Sequence, residues 1–348
     1  MKRIVLAAVL LLSLANLVMA QDEAQPQLGA ITNFGPNLAE DCPQPEGIAV
    51  DPEGNLYLSS LSIGISAEGL SFADEVNICV LDSQGNLVKT IPVQAGEVGS
   101  IALTGMLYVP DEGLYVTDAG DGFANLETDQ GRLLRIDPVT DAVEVVAMGF
   151  TGPNAIARDS AGLLYVADGE QGIVYRVNSD GSGMEVWVED ALLAPTPGFF
   201  LGANGLAFDA DESFLYVTNP GYRRILRIAI EADGSAGEVT IFADGAEIDA
   251  ETGSVNALNG ADGIQIDTAG YLYVTSDWIS ELQILSPEGE LVGRYNGYQF
   301  DAFYNPASLV FSGSRLFISN IDFFSAVPGT SSKVSVVEVS AEGLPIIR

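Results

Sequence analysis

The sequence contains no histidine. That absence removes the Ser-His-Asp and Cys-His machineries, imidazole zinc ligands and every imidazole general base together, leaving carboxylates, amides, hydroxyls and a hard cation to carry any chemistry. Bases are scarce as well: 14 Lys+Arg stand against 48 Asp+Glu, a formal net charge of −34 over 348 residues. With so little cationic surface to release phosphate counterions, nucleic acid and anionic membrane surfaces are excluded as partners. Only two cysteines occur, Cys42 and Cys79, and their spacing leaves open whether they form a disulfide or stay as two buried thiols. After the first twenty residues no apolar run is long enough to cross a membrane.

What is present begins with those twenty residues: Lys2-Arg3, an apolar stretch from Ile4 to Val18, and the small residue Ala20 before Gln21, Asp22 and Glu23. A short cationic start, an apolar centre and a small residue at the end read as an export signal, since an anchoring helix wants about 20 apolar residues. We therefore divide the chain into a signal peptide, residues 1–20, and one domain, residues 21–348, expected as a secreted or periplasmic monomer free of the membrane. Cleavage removes Lys2 and Arg3 and no acid, so the mature chain carries 12 bases and 48 acids, a net −36. Hydrophobic residues make up 47% and charged residues 18%, which excludes disorder despite the charge imbalance.

One short pattern returns along the chain. It starts at Glu46 (EGIAVDPEGNLYL), Thr104 (TGMLYVPDEGLYV), Asn154 (NAIARDSAGLLYV), Asn204 (NGLAFDADESFLYV), Asp262 (DGIQIDTAGYLYV) and Ala307 (ASLVFSGSRLFI), about every 50 residues. Each copy is an apolar run, an Asp/Gly-rich turn and a Leu-Tyr-Val-like run, the grammar of strand, tight turn, strand. Further strand-like runs with their own turns follow each pair, and no segment between them has the 3.6-residue period of a crossover helix. Four antiparallel strands repeated at this length predict an all-β fold, a six-bladed β-propeller. Ring closure wants one blade built from both ends of the chain; Gln27–Phe34 is expected beside Val334–Val339 in the last blade.

The position opening each copy starts an innermost strand and points toward the central channel. That column reads Glu46, Thr104, Asn154, Asn204, Asp262 and Ala307, and four of the six are good oxygen donors. Two carboxylates and two amide carbonyls suit Ca²⁺, or another hard divalent cation, better than zinc, which prefers nitrogen and sulfur. A single Asn-Gly or Asp-Gly pair also reads as a turn. Four donors in one register of different blades read instead as a convergent site. A bound cation would keep Glu46 and Asp262 both ionised where like charges otherwise raise each other's pKa.

The fragments PEGIAVD, PNAIARD, ANGLAFD and ADGIQID, with the order Glu, Asn, Asn, Asp on blades 1, 3, 4 and 5, resemble the senescence marker protein/gluconolactonase family. That group belongs with diisopropylfluorophosphatase and the paraoxonases among calcium-dependent six-bladed propellers. The resemblance implies Glu46, Asn204 and Asp262 as metal ligands and Asn154 as a channel asparagine beside the metal that can contact substrate. It implies Asp262 also as the catalytic base or nucleophile. Two departures stand out: where sugar-lactone hydrolases of the family tend to carry Arg and Asp around the third-blade Asn, this chain has Gly152 and Ala155. The channel histidines of paraoxonases have no counterpart.

Apolar segments enter the same channel mouth. Leu192, Leu193, Phe199 and Phe200 precede the fourth copy; Tyr298, Phe300, Phe303 and Tyr304 precede the sixth; Trp278 follows a fifth-blade strand. We expect Phe199, Phe200 and Tyr304, with Asn154, to meet substrate in a hydrophobic vestibule. These readings converge on a calcium-dependent hydrolase of a small-molecule lactone or ester, with a phosphoester as the other substrate class. A non-catalytic ligand- or protein-binding propeller with a structural calcium shares the same donor column and is separated from it only by turnover.

Overall fold

The computed structural model describes residues 25–66, 69–125, 127–296, 304–323 and 332–346. The signal-peptide reading at residues 1–20, and Tyr298, Phe300 and Phe303, lie outside the described residues. Six four-stranded antiparallel sheets follow one another around a central channel, as the repeat predicts. Blade 1 comprises Pro45–Val50, Leu56–Ser60, Glu75–Leu81 and Leu87–Gln94; blade 2 comprises Leu103–Val109, Gly113–Asp118, Gly131–Ile136 and Val143–Phe150. Blades 3, 4 and 5 start with the inner strands Pro153–Arg158, Leu206–Phe208 and Ala261–Ile266. Blade 6 is made of Pro306–Ser312, Arg315–Asn320, Lys333–Glu338 and, closing the ring, Thr32–Phe34 from the other end of the chain. Thr32 pairs with Val336 and Phe34 with Val334, which places this segment beside the strand expected from the sequence.

Why these residues make blades is visible in the burial pattern. The second strand of each blade is covered on both faces by neighbouring blades, so Leu56–Ser60, Leu164–Asp168 and Leu272–Ser276 are buried at every residue and open on three consecutive apolar side chains. Outer strands face solvent on one side, and Leu87–Gln94 alternates accordingly. The repeated Asp and Tyr are structural partners. Asp51, Asp159 and Asp267 each close the inner hairpin turn by accepting from the backbone N–H four residues on. Each also accepts from the blade's own tyrosine hydroxyl, that of Tyr57, Tyr165 or Tyr273, at 3.2, 3.1 and 3.0 Å.

Cys42 and Cys79 are joined, which settles the alternative their spacing left open. The bridge ties the segment leading into blade 1 to that blade's third strand across a separation of 37 residues, with both sulfurs buried. A loop of that length carries about 4 kcal/mol of closure entropy in the unfolded chain. Replacing both cysteines by alanine is expected to lower the unfolding free energy by about 2–4 kcal/mol in urea titrations under oxidising conditions. Equal midpoints for the two proteins would mean the bridge constrains nothing that the blade does not. Among the described residues no helix is long and apolar enough to cross a membrane.

Candidate active site at the channel mouth

At the start of the inner strands the ladder is interrupted: the pairing register slips between Pro45 and Ile48, Leu103 and Met106, Pro153 and Ile156, Ala261 and Ile264, and Pro306 and Leu309. These bulges fall on Glu46, Thr104, Asn154, Asp262 and Ala307 and release them from the ladder toward the channel. Asn204 stands in the same place, just before its inner strand, with its N–H donating to the Thr218 carbonyl at 3.0 Å.

A ring of hydroxyls holds these positions. The penultimate residue of each second strand reads Ser59, Thr117, Ala167, Thr218, Thr275 and Ser319. Each hydroxyl in that series donates to the backbone carbonyl of the column residue in the next blade: Ser59 to Thr104, Thr117 to Asn154, Thr218 to Asp262, Thr275 to Ala307 and Ser319 to Glu46. Only the seam from blade 3 to blade 4 lacks the link, because Ala167 has no hydroxyl. The glycines after the column residues serve the same close approach. A Cβ on Gly47, Gly105 or Gly205 would lie 2.2, 2.4 or 2.3 Å from the neighbouring blade's carbonyl oxygen. The Gly of EG, NG and DG therefore answers to blade packing at the axis and not to a turn.

The four predicted donors line one cavity of about 280 Å³, together with Thr104 and Asp277. Glu46 and Asn154 are each 6% exposed, Asn204 3% and Asp262 9%. Asn204 Nδ2 donates to Asp262 Oδ1 at 2.9 Å, which leaves Asn204 Oδ1 free; it, Glu46 Oε2 and Asp277 Oδ1 are buried without a hydrogen-bond partner. Burial, then the Asp262 charge, pushes Glu46 well above the usual carboxylate range. Burial raises Asp262 to about 8 against the opposing Asn204 bond, and Asp277 rises for the same first reason with Asp262 next. Unpaired hard oxygens and repelling carboxylates fit a small divalent cation. Among the described residues no group of three or more acids or cysteines is itself arranged to hold an ion, so the fit rests on the mixture of carboxylates and amides.

Asp277 was missed by the column reading. It follows the second strand of blade 5, at the position that is Leu61, Ala119, Gly169, Pro220 and Ile321 in the other blades. Aligning the ends of the second strands reveals one acid among apolar or small residues. The vestibule divides as well. Phe199, Phe200 and Trp278 line the cavity, in a row of ring contacts with centroids 4.9 Å (Phe199–Trp278) and 5.0 Å (Phe199–Phe200) apart. Leu193 is instead core between blades 3 and 4, because Asn219 Nδ2 pins the carbonyls of Leu192 and Ala194 to the blade. Tyr304 is not among the lining residues: its N–H is held by Asn320 Oδ1 at 3.0 Å and its ring lies under the Lys333 ammonium. A larger opening of about 450 Å³ at the other end of the channel is lined by the far ends of the inner strands and by Leu344–Ile346. None of the buried, unpartnered carboxylate oxygens lies along it.

Gly152, the departure noted from the sequence, has a structural counterpart. A Cβ there would lie 2.6 Å from Glu170 Cγ, so Glu170 fills the space a side chain at position 152 would need. Glu170 is 9% exposed, both of its carboxylate oxygens are buried without partners, and burial with the nearby Asp168 charge raises it to about 8. A carboxyl with its folded pKa raised contributes stability that is complete below about pH 4 and is lost as pH climbs through about 8. Glu170→Gln is therefore expected to be neutral near about pH 4 and stabilising near about pH 9, by several-fold RT, in paired urea titrations. A constant difference between the two proteins across that range would mean Glu170 is ionised without penalty.

Residues 194–321, which carry Asn204 and Asp262, match the SMP-30/Gluconolactonase/LRE-like region. The chain is 25% identical over 228 residues to a gluconolactonase of Zymomonas mobilis, covering 59% of this chain and 57% of that protein, so the match spans under two thirds of the relative's length. It is 27% identical over 241 residues to lactonase drp35 of Staphylococcus aureus, covering 66% of this chain and 69% of the relative. Among solved structures, the calcium-binding protein regucalcin of Agrobacterium tumefaciens superposes with a TM-score of 0.59 at 15% identity, covering 91% of this chain and 96% of that one.

Proposed function

We propose that the chain is a calcium-dependent lactone hydrolase with its site at the mouth of the propeller channel. The observation that carries this reading is the convergence of Glu46, Asn154, Asn204 and Asp262 on the floor of one buried cavity, with carboxylate and amide oxygens left unpaired. Relatives named gluconolactonase and lactonase, and a calcium-binding neighbour in fold, support it. Those four side chains would hold the ion, which supplies Lewis-acid polarisation of the ester carbonyl when bound.

The chain's own residues account for the rest. Asp262 takes a proton from the attacking water as the water oxygen bonds to the carbonyl carbon; the ring C–O bond then breaks and its oxygen recovers that proton from Asp262. The Asn204 amide, donating to Asp262 Oδ1, fixes the orientation of the carboxylate. Asn154 lines the same cavity and positions the substrate. The leader-like residues 1–20 and the Cys42–Cys79 bridge support a place outside the cytoplasm, secreted or periplasmic.

The first test is melting with chelator against excess Ca²⁺. At about a hundredfold over its Kd the ion stabilises by about 2.7 kcal/mol, a rise of roughly 4 °C for a chain of this size. Identical melting curves would overturn the metal reading. Stabilisation by calcium with no turnover on a panel of lactones and aryl esters would make the ion structural and the propeller a binding module.

A further inference from the structure

We propose that the substrate is a small lactone bearing an unbranched alkyl tail, and that the tail lies in the apolar upper cavity. The inference rests on the lactonase reading above and adds the chemistry of the wall. Above its polar floor the cavity is lined on one part by Phe123, Phe199, Phe200, Leu201 and Trp278. Blades 1 and 6 supply Leu61, Ile63, Ile65, Leu70, Ile321 and Phe323. Ile65 and Leu70 stand on a two-stranded hairpin, Gly64–Ser66 with Gly69–Ser71, at 62% and 37% exposure. Two apolar side chains held in solvent beside an apolar cavity are surface that a tail would cover.

A polyhydroxylated sugar lactone meets the wrong wall here. No Lys or Arg lines the cavity among the described residues, and the segments 297–303 and 324–331 contain neither residue. Each described cation is engaged elsewhere, for example Arg132 with Asp118, Arg158 with Glu112 and Arg294 with Glu281. The one lining hydroxyl among the described residues, on Thr104, already donates to the Pro153 carbonyl at 2.8 Å. Sugar hydroxyls buried against this wall would lose their hydrogen bonds to water without replacement. Methylenes gain on leaving water, by an amount equivalent to about threefold to fourfold per group.

The test is kcat/KM, with calcium, on δ-valerolactone, δ-octalactone, δ-decalactone and glucono-δ-lactone, beside calorimetric binding of the corresponding alkyl δ-lactams. Expected is a rise of about tenfold per two methylenes until the cavity is full, with the sugar lactone about a hundredfold or more below δ-decalactone. The double variant Ile65→Ser/Leu70→Ser, exposed enough to leave folding intact, flattens that slope. A flat series, or glucono-δ-lactone as the best substrate, overturns the proposal. If no lactone turns over but lactam affinity climbs with chain length, the hydrolase reading fails and the tail site stands. If lactam affinity is flat as well, both fail.

Discussion

Asp262→Asn is expected to lower kcat/KM by about a thousandfold while the protein stays folded, a loss within the range for removing a positioned general base. The substitution keeps the shape of the side chain, and an amide oxygen remains to accept the 2.9 Å bond from Asn204. What it removes is a charge and a proton acceptor. Because burial raises the Asp262 carboxyl to about 8, the neutral isostere also relieves a cost in the calcium-free protein. Three readouts therefore move in different directions. Turnover collapses, the melting temperature in chelator rises, and the further rise on adding calcium shrinks because one of two anionic ligands is gone. Site residues that lower stability for the sake of function are expected to show this signature. A folded variant with full turnover would move the base to another group, and Asp277, a lining acid outside the proposed ligand set whose Oδ1 is buried without a partner, would be the next to replace.

The fold was legible because its repeat is written in residues with structural duties. Asp51, Asp159 and Asp267 clamp their hairpins and their tyrosines, and each buried second strand carries a Leu-Tyr-Val-like apolar run, so both the period and the strand pairs stand out. The donor column was legible for a related reason, since a bulge at one register in each blade turns one residue per copy toward the axis. Asp277 was hidden because it belongs to a different strand of the blade, where its significance appears only against Leu61, Ala119, Gly169, Pro220 and Ile321. Glu170 was hidden because its burial depends on a glycine eighteen positions earlier, at 152, and sequence spacing does not report a vacancy filled from another strand. Tyr304 looked like Phe199 and Phe200 by composition. The difference is made by Asn320 and Lys333, which hold it at the blade edge.

Gly205→Ala is expected to be the most disruptive single methyl in the molecule for function, because it joins the packing of the ring to the site. Gly205 does not need its freedom at positive φ; it needs the absence of a side chain. An added Cβ would sit 2.3 Å from the Asp262 carbonyl oxygen and 3.1 Å from the Thr218 hydroxyl that donates to that same carbonyl. Neither the backbone of Asp262 nor the innermost strand behind it is a flexible end that can swing aside, so the blades must part or the bulge must shift. A destabilisation of about 2–4 kcal/mol is expected in urea. Calcium stabilisation and turnover should fall beyond what that loss explains, since Asp262 is displaced relative to Glu46 and Asn154. Blade 3 supplies the control. There the equivalent residue is already Ala155, and the same seam lacks the hydroxyl link because Ala167 replaces the serine or threonine found in every other blade. A methyl and a missing hydroxyl occur together at this seam, whereas blade 6 carries Ser308 at the equivalent position and keeps its link through Ser319. Ala155→Gly should accordingly cost less than about 1 kcal/mol and leave the calcium response as it is. Equal behaviour of the two variants would mean that the close seams do not position the ligands, and the hydroxyl ring would be packing alone.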